Sequence, residues 1–480
     1  MLTEFYKQIP ALLVILPLLS SLIILVINNK IFGRITFLLT NVILFIITVM
    51  GFIHHQDINY YFGDWSRPIG IEFKLDILAL VSVGLIYFVT SIFACFTFNL
   101  LSQKLEDLIL PGRRHMAYAL FLFVEAGYAG MILTNDIFNF YVFLEVASLS
   151  SYPLIVISSN KKSLIAAFEY LVIGTIAATI ILVSIGLIFA VVGSLNLYDI
   201  YQYFNSHDIN IKFAAIFFMV GALIKVAIFP LHIWKIKSYS HTSTIIAGFF
   251  ISISSITAIM ILYKFKFLIN LVSNEANHYI NMIGFASIIF GSISVYFNDD
   301  YKKLVIYSAI SSAGYYLILW PYEEYNSLYL FLQILALDAI IKLGLLLFPL
   351  SLGKDNLSVR QLFGFAKKYK FSSLALIILL INAACLPPTI GFFNKLSIIS
   401  DYAAKSFIYV VILSISSLLS ALAYLRVARQ LVKTSDIEND FELDNLSLLG
   451  VVLVNIILIY MIFSANYFQL ITQSILAGVR

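Results

Sequence analysis

Apolar runs of about twenty residues recur from one end of this 480-residue chain to the other. A helix rises about 1.5 Å per residue, so each run is long enough to span the roughly 30 Å hydrocarbon core of a bilayer. Inside lipid every main-chain amide must be bonded within the protein, which leaves helices and closed barrels as the solutions. Barrel strands alternate apolar and polar residues, and these runs do not. Hydrophobic residues make up 61% of the chain and charged ones 12%, about half the charge of a soluble domain. The mean hydropathy of +0.96 agrees. The chain therefore reads as an all-α polytopic membrane protein.

The runs predict about fourteen spans, at 9–28, 32–53, 74–101, 115–134, 136–158, 163–193, 213–234, 243–263, 279–297, 303–320, 326–350, 371–394, 403–428 and 446–470. The first is too long for a signal-peptide core and has no small-residue cleavage site. The third and sixth are long, which tilt or an interfacial extension would absorb. Lysines and arginines gather in the connections after odd-numbered spans, among them Lys104, Arg113, Lys235, Lys302 and Lys368; Lys7, Lys264 and Arg480 are among the fewer on the other side. The positive-inside rule then places odd connections in the cytoplasm and both termini outside. The loop carrying Asp57, Asp64, Trp65, Arg67 and Pro68 is expected to be structured, and the acidic stretch Asp436 to Asp444 reads as a solvated cytoplasmic face. No segment resembles a phosphate loop, a dinucleotide fingerprint or a nucleic-acid module, so neither a cofactor site nor a nucleic-acid partner is expected. Cys95 and Cys385 both lie in apolar runs. Two such residues make neither a thiolate metal cluster nor a disulfide framework, and packing is their expected role.

Against this background the charged residues inside spans stand out. The stretch GALIKVAIFPLHIW, Gly221 to Trp234, sets Lys225 in the seventh span and Pro230 five residues later. A lysine at mid-membrane depth costs roughly 3 kcal/mol on insertion scales, so it needs a partner or a water-filled path. The proline removes an amide donor and breaks the helix. A charge beside a broken helix can be an ion site; a snorkelling lysine beside an ordinary kink is the alternative. Glu145 lies well inside the fifth span, and a Glu145–Lys225 pair is expected, acting either as a proton-responsive pair or as a static ion pair. Asp338 and Lys342 stand one helical turn apart in the eleventh span, as a relay element or a self-satisfied pair. Lys395 follows a second break at Pro387–Pro388 and reads as a relay terminus or a snorkelling residue. Glu125, deep in the fourth span, and His232 and His241, flanking the first break, are accessory candidates; Glu169 reads as interfacial. The breaks in the seventh and twelfth spans are five spans apart. That spacing suggests two five-helix units in an inverted repeat, at 113–264 and 265–432, with an N-terminal three-helix segment at 1–112 and a C-terminal helix at 433–480.

Four stretches resemble one family. NDIFNFYVFLE (135–145), KVAIFPLHIW (225–234), DDYKKLVIYSAISSAGY (299–315) and LPPTIGFFNK (386–395) are similar to motifs of the antiporter-like membrane subunits shared by Mrp-type cation/proton antiporters, respiratory complex I and membrane-bound hydrogenases. With GDWSRPIGIEFKLD (63–76), the wording is nearest the D subunit of Mrp antiporters. The resemblance implies a fourteen-helix fold and a polar axis across the membrane centre. It also implies proton relay through Glu145, Lys225, Lys342 and Lys395, to which the spacing to Lys342 adds Asp338. The setting it implies is a multi-subunit assembly in a bacterial inner membrane, moving protons with sodium or potassium and leaving any redox step to partner subunits. Three positions depart from the family. Lys235-Ile236-Lys237 stands where the family has Leu-Pro-Asp, Ile256 stands where it has an ionisable residue, and Asp338 replaces a histidine.

Overall fold

The computed structural model describes residues 2–54, 57–98, 114–157, 161–206, 212–270, 276–319, 325–433, 441 and 443–477. Lys104, Arg113, Arg480 and most of the Asp436 to Asp444 stretch lie outside them. The chain opens with α1 (Leu2–Ile27) and α2 (Lys30–His54), followed by a hairpin of β1 (Ile58–Tyr61) and β2 (Glu72–Leu75). Then come α3 (Ile77–Phe96), α4 (Arg114–Leu133), α5 (Ile137–Val156), α6 (Lys161–Val192), α7 (Leu197–Ser206) and α8 (Lys212–Val226). The next are α9 (Ile233–His241), α10 (Thr244–Lys264), α11 (Lys266–Asn270), α12 (Ala276–Phe297), α13 (Tyr301–Leu319) and α14 (Tyr325–Ser351). The last are α15 (Phe365–Lys368), α16 (Lys370–Ala383), α17 (Ile390–Ala403), α18 (Phe407–Val432) and α19 (Asn445–Ala477).

Among the described residues, 11 helices are long and apolar enough to cross a membrane by length and composition. The expected spans absent from that set are the seventh and twelfth, each divided at its prolines, and the tenth, α13, whose serines and tyrosines lower its hydropathy. The third span starts later than its apolar run suggested. Lys74 and Leu75 belong to β2, and Asp76 then caps α3 by accepting from the Ala79 amide at 2.9 Å. The loop before it is structured, as expected, with Ile58 paired to Leu75 and Tyr61 to Glu72. The sixth run is one uninterrupted helix of 32 residues.

Both breaks follow from one steric rule. A proline ring excludes the carbonyl four residues earlier and supplies no amide to bond it. Pro230 meets Val226, the last residue of α8; Pro387 meets Ala383, the last residue of α16. Ala227 and Cys385, each three residues before a proline, take left-handed backbone with φ of 62° and 52°.

By internal contacts the chain divides into two compact units, Met1–Val226 with Ile256–His278, and Ala227–Ser255 with Tyr279–Arg480. In the first, α4 packs on α1 and α5, and α6 packs on α8. In the second, α14 packs on α19, and α18 packs on α16 and α17. Glycines set the closest approaches, because lipid gives helices no hydrophobic drive to associate and small residues permit tight contact. A Cβ at Gly130 of α4 would lie 2.4 Å from the Phe143 ring of α5, and one at Gly314 of α13 would lie 2.5 Å from the Gly284 carbonyl of α12. Gly130→Ala is therefore expected to destabilise the first unit by about 1–3 kcal/mol, the usual cost of overpacking. A lower thermal midpoint in detergent is the readout, and an unchanged midpoint would mean that α4 and α5 can separate without cost.

Candidate functional site

The first cluster is built on α5. Asp136 caps the helix, its carboxylate accepting from the Asn139 amide at 2.6 Å. Burial raises the Asp136 carboxyl above the usual carboxylate range, and the Asn139 and Phe138 amides oppose that shift. The cap fixes where the helix begins, and so which face carries Glu145, Ser148 and Tyr152 at helical spacing. Lys225 lies in the last turn of α8, where the unpaired carbonyls of a helix end favour a cation. Its ammonium donates to the Ser148 hydroxyl at 2.8 Å. Glu145, one turn before Ser148, acts on Lys225 through charge. No Glu145–Lys225 contact falls within ion-pair distance; in place of the expected direct pair Lys225 donates to Ser148, whose own hydroxyl donates to the Leu144 carbonyl at 2.7 Å. The reason is geometric: Ser148 is three residues further along the same helix face and takes the hydrogen bond first. Tyr170 of α6 extends the polar run, accepting from Ser151 at 3.3 Å. At one end of this unit a wider cavity of about 540 Å³ is lined by Arg67, Glu72, Lys74, Asp76 and Lys264. Glu72 there accepts from Asn135 at 2.9 Å and Asn196 at 2.8 Å.

The second cluster surrounds a cavity of about 110 Å³ in the other unit. Asp338, Lys342 and Lys395 all line it, together with Ser312, Asn394 and Tyr424. The volume has room for several waters, and Ser312, Asp338, Lys342 and Asn394 offer them polar partners on an otherwise largely apolar wall. The ammonium of Lys342 donates to one Asp338 oxygen, and Ser312 donates to the other at 2.7 Å. Lys342 is 2% exposed. Asp338 and Lys342 therefore form the contact their spacing suggested. Lys395 points inward instead of snorkelling, with its ammonium 5.4 Å from the Tyr315 ring centre.

A family model described as NADH:quinone oxidoreductase/Mrp antiporter, TM, matches residues 134–420. The chain belongs to that family. Glu145, Lys225, Asp338, Lys342 and Lys395 all fall inside the matched segment, and Glu125 falls outside it. An NADH-quinone oxidoreductase subunit N of Desulforudis audaxviator is 32% identical over 380 residues, covering 77% of this chain and 74% of that protein. A Staphylococcus aureus protein described as antiporter subunit mnhD2 is 28% identical over 424 residues, covering 86% of this chain and 83% of the relative. A chain in the structure of the Mrp complex from Dietzia sp. superposes with a TM-score of 0.87 at 19% identity, over 99% of this chain and 97% of that one.

Within this antiporter-family chain, the remaining candidates separate. Glu125 is fully buried, and neither of its oxygens has a hydrogen-bond partner among the described residues. His232 is 4% exposed, with its ring 5.4 Å from Phe229 and 4.4 Å from Phe290, and its Nδ1 is unpaired among the described residues. His241 closes α9 and is less buried. Lys235 overturns its sequence reading. It was expected in a cytoplasmic connection, yet it is 4% exposed on α9 and feels the charges of Lys342 and Asp338. The departure from Leu-Pro-Asp at 235–237 is the one sequence signal at this position; in the structure Lys235 lies buried in the first turn of α9. Lys302, also counted to a connection, is equally buried and donates to the Thr242 carbonyl at 2.8 Å. Ile256 is fully buried, while the hydroxyls of Ser254 and Ser255 have no partner among the described residues.

Proposed function

We propose that the chain is the proton-translocating subunit of a multi-subunit monovalent cation/proton antiporter, of the Mrp D-like kind. The observation that carries the reading is Lys225 held at a helix end by Ser148, one turn from Glu145. There a proton can be taken up and released while the carboxylate tunes how tightly it is held. Asp338–Lys342 and Lys395, around one hydrated cavity, serve the second half. Lys235 supplies a buried cation near Asp338 and Lys342, and water on Ser254 and Ser255 bridges the stretch where Ile256 carries no charge.

In this reading residues 113–264 and 265–432 are the two five-helix repeats, between a three-helix segment at 1–112 and a C-terminal helix at 433–480. The matching proline breaks of α8 and α16 support it. The setting is a bacterial inner membrane with both termini on the outer side. The ions are protons with sodium or potassium, and the partners are other hydrophobic subunits.

The similarity to a subunit N of an NADH-quinone oxidoreductase favours a second reading, in which the chain pumps protons in a complex I-like assembly and performs no redox step. Extraction from the native membrane in mild detergent, with mass spectrometry of what comes along, separates them. Small hydrophobic antiporter subunits without flavin or iron–sulfur proteins would support the first. Quinone- and NADH-reacting subunits would support the second and sink the first. A third reading, a structural assembly subunit, fails if a relay variant stops transport without disturbing assembly. One such variant is Lys235→Met, expected to lower proton-coupled flux about tenfold, below the about 10²–10⁴ of a fully positioned proton-transfer group. Because the substitution removes a buried charge, the thermal midpoint should hold or rise; unchanged flux would remove Lys235 from the path.

A further inference from the structure

The cavity of about 540 Å³ in the first unit takes no part in the relay. Its wall is built where spanning helices begin or end: Asp76 caps α3, Ile132 lies in the last turn of α4, and Lys264 closes α10. The cavity therefore opens at one membrane surface, at the depth of lipid headgroups, where tryptophan and tyrosine gather. Trp65, Tyr198 and Tyr201 are all exposed there. Most of the charges in the lining are already engaged. Glu72 holds Asn135 and Asn196, and Lys74 lies 3.8 Å from Asp76. The Lys264 ammonium donates to the Ile132 carbonyl at 2.9 Å and to that of Thr134. Arg67 is the exception. Its guanidinium lies over the Tyr198 ring, 4.4 Å from the centre, and pairs with no carboxylate among the described residues. Stacking uses the flat face of a guanidinium and leaves its rim of N–H donors, the geometry that takes two phosphate oxygens at once.

We propose that this cavity binds one membrane phospholipid, with its phosphodiester on Arg67 and the upper part of its acyl chains along the wall. The site stands apart from the ion-transport reading. Basic pockets at a membrane surface recognise lipid headgroups through the phosphate. Here Arg67, Lys74 and Lys264 face Glu72 and Asp76, so the lining has one positive charge to spare for an anion. Leu78, Leu197, Met260 and Phe267 supply an apolar wall in the same cavity. A polar end joined to an apolar wall fits an amphiphile better than a free ion. A bound headgroup would also tie the β1–β2 hairpin, which carries Arg67, to α7, which carries Tyr198 and Tyr201.

The test uses the full chain in its native assembly, washed free of lipid in detergent and offered three probes in turn. These are dioleoylphosphatidylglycerol, dioleoylglycerol with the same chains and no phosphate, and inorganic phosphate. Native mass spectrometry measures what stays bound, and the thermal midpoint reports the stabilisation that a ligand of the folded state must bring. Phosphatidylglycerol should be retained and raise the midpoint. Arg67→Gln should weaken its retention about tenfold, the loss expected for one hydrogen bond to a charged group. Arg67→Lys, which keeps the charge without the paired donors, should lose less. Lys162→Gln, at the end of α6 far from the cavity, should match the parent. Equal retention in Arg67→Gln and the parent overturns the site. Dioleoylglycerol held as tightly as phosphatidylglycerol overturns the phosphate contact. An equal rise in midpoint with inorganic phosphate overturns the lipid and leaves a simple anion site.

Discussion

Lys225→Ala is expected to lower proton-coupled transport at least a hundredfold while the chain still inserts and assembles. A positioned proton-transfer group contributes about 10²–10⁴ in rate, and none of the neighbours of Lys225 can take its place. Ser148 and the surrounding tyrosines hold a hydroxyl proton too firmly, and Glu145 would be left without a cation beside it. Folding should not suffer. Removing the amine also removes roughly 3 kcal/mol of insertion cost, against one lost hydrogen bond to a serine. Proton flux into inverted vesicles, measured beside the amount of assembled protein, checks both halves. Full flux with normal assembly would reduce Lys225 to a packing residue.

The second large effect concerns Asp338 and Lys342. Asp338→Ala leaves Lys342, 2% exposed, without its carboxylate, and breaking a buried pair in this way typically costs about 3–5 kcal/mol. The double variant Asp338→Leu with Lys342→Met removes both charges. Replacing a buried pair by apolar groups of similar size is often neutral or stabilising by about 1–4 kcal/mol, so the thermal midpoint should recover. Transport should not. Loss of flux in a stable double variant separates a relay from a packing device; recovery of both would assign the pair to helix packing alone. The single variant also tests the cavity, because Ser312 then loses the acceptor it reaches at 2.7 Å.

How much of this was legible in the sequence depends on how local the cause is. Each proline break could be read from the chain because a proline acts on the carbonyl four residues before it, whatever surrounds it. The Asp338–Lys342 contact could be read because helix geometry alone brings residues four apart together. Glu145 and Lys225 could be named as candidates, since a charge in an apolar run is conspicuous. Their relation could not be read, because it depends on which face of α5 meets the end of α8, and that packing hands the lysine to Ser148. Counting along the chain places Lys235 and Lys302 in water-facing connections. Both are buried, since short helices and turns between spans fold back into the protein where a linear reading sees only a loop.

The sequence by itself determined that the chain is helical and lives in a bilayer, where its helices break, and which ionisable residues the membrane must accommodate. These follow from the price of exposing polar groups to hydrocarbon, which every segment meets separately. The tertiary structure alone decided which of those residues share a cavity and which hydroxyl each of them bonds. That choice is made by side chains on different helices, and no periodicity along one helix records it.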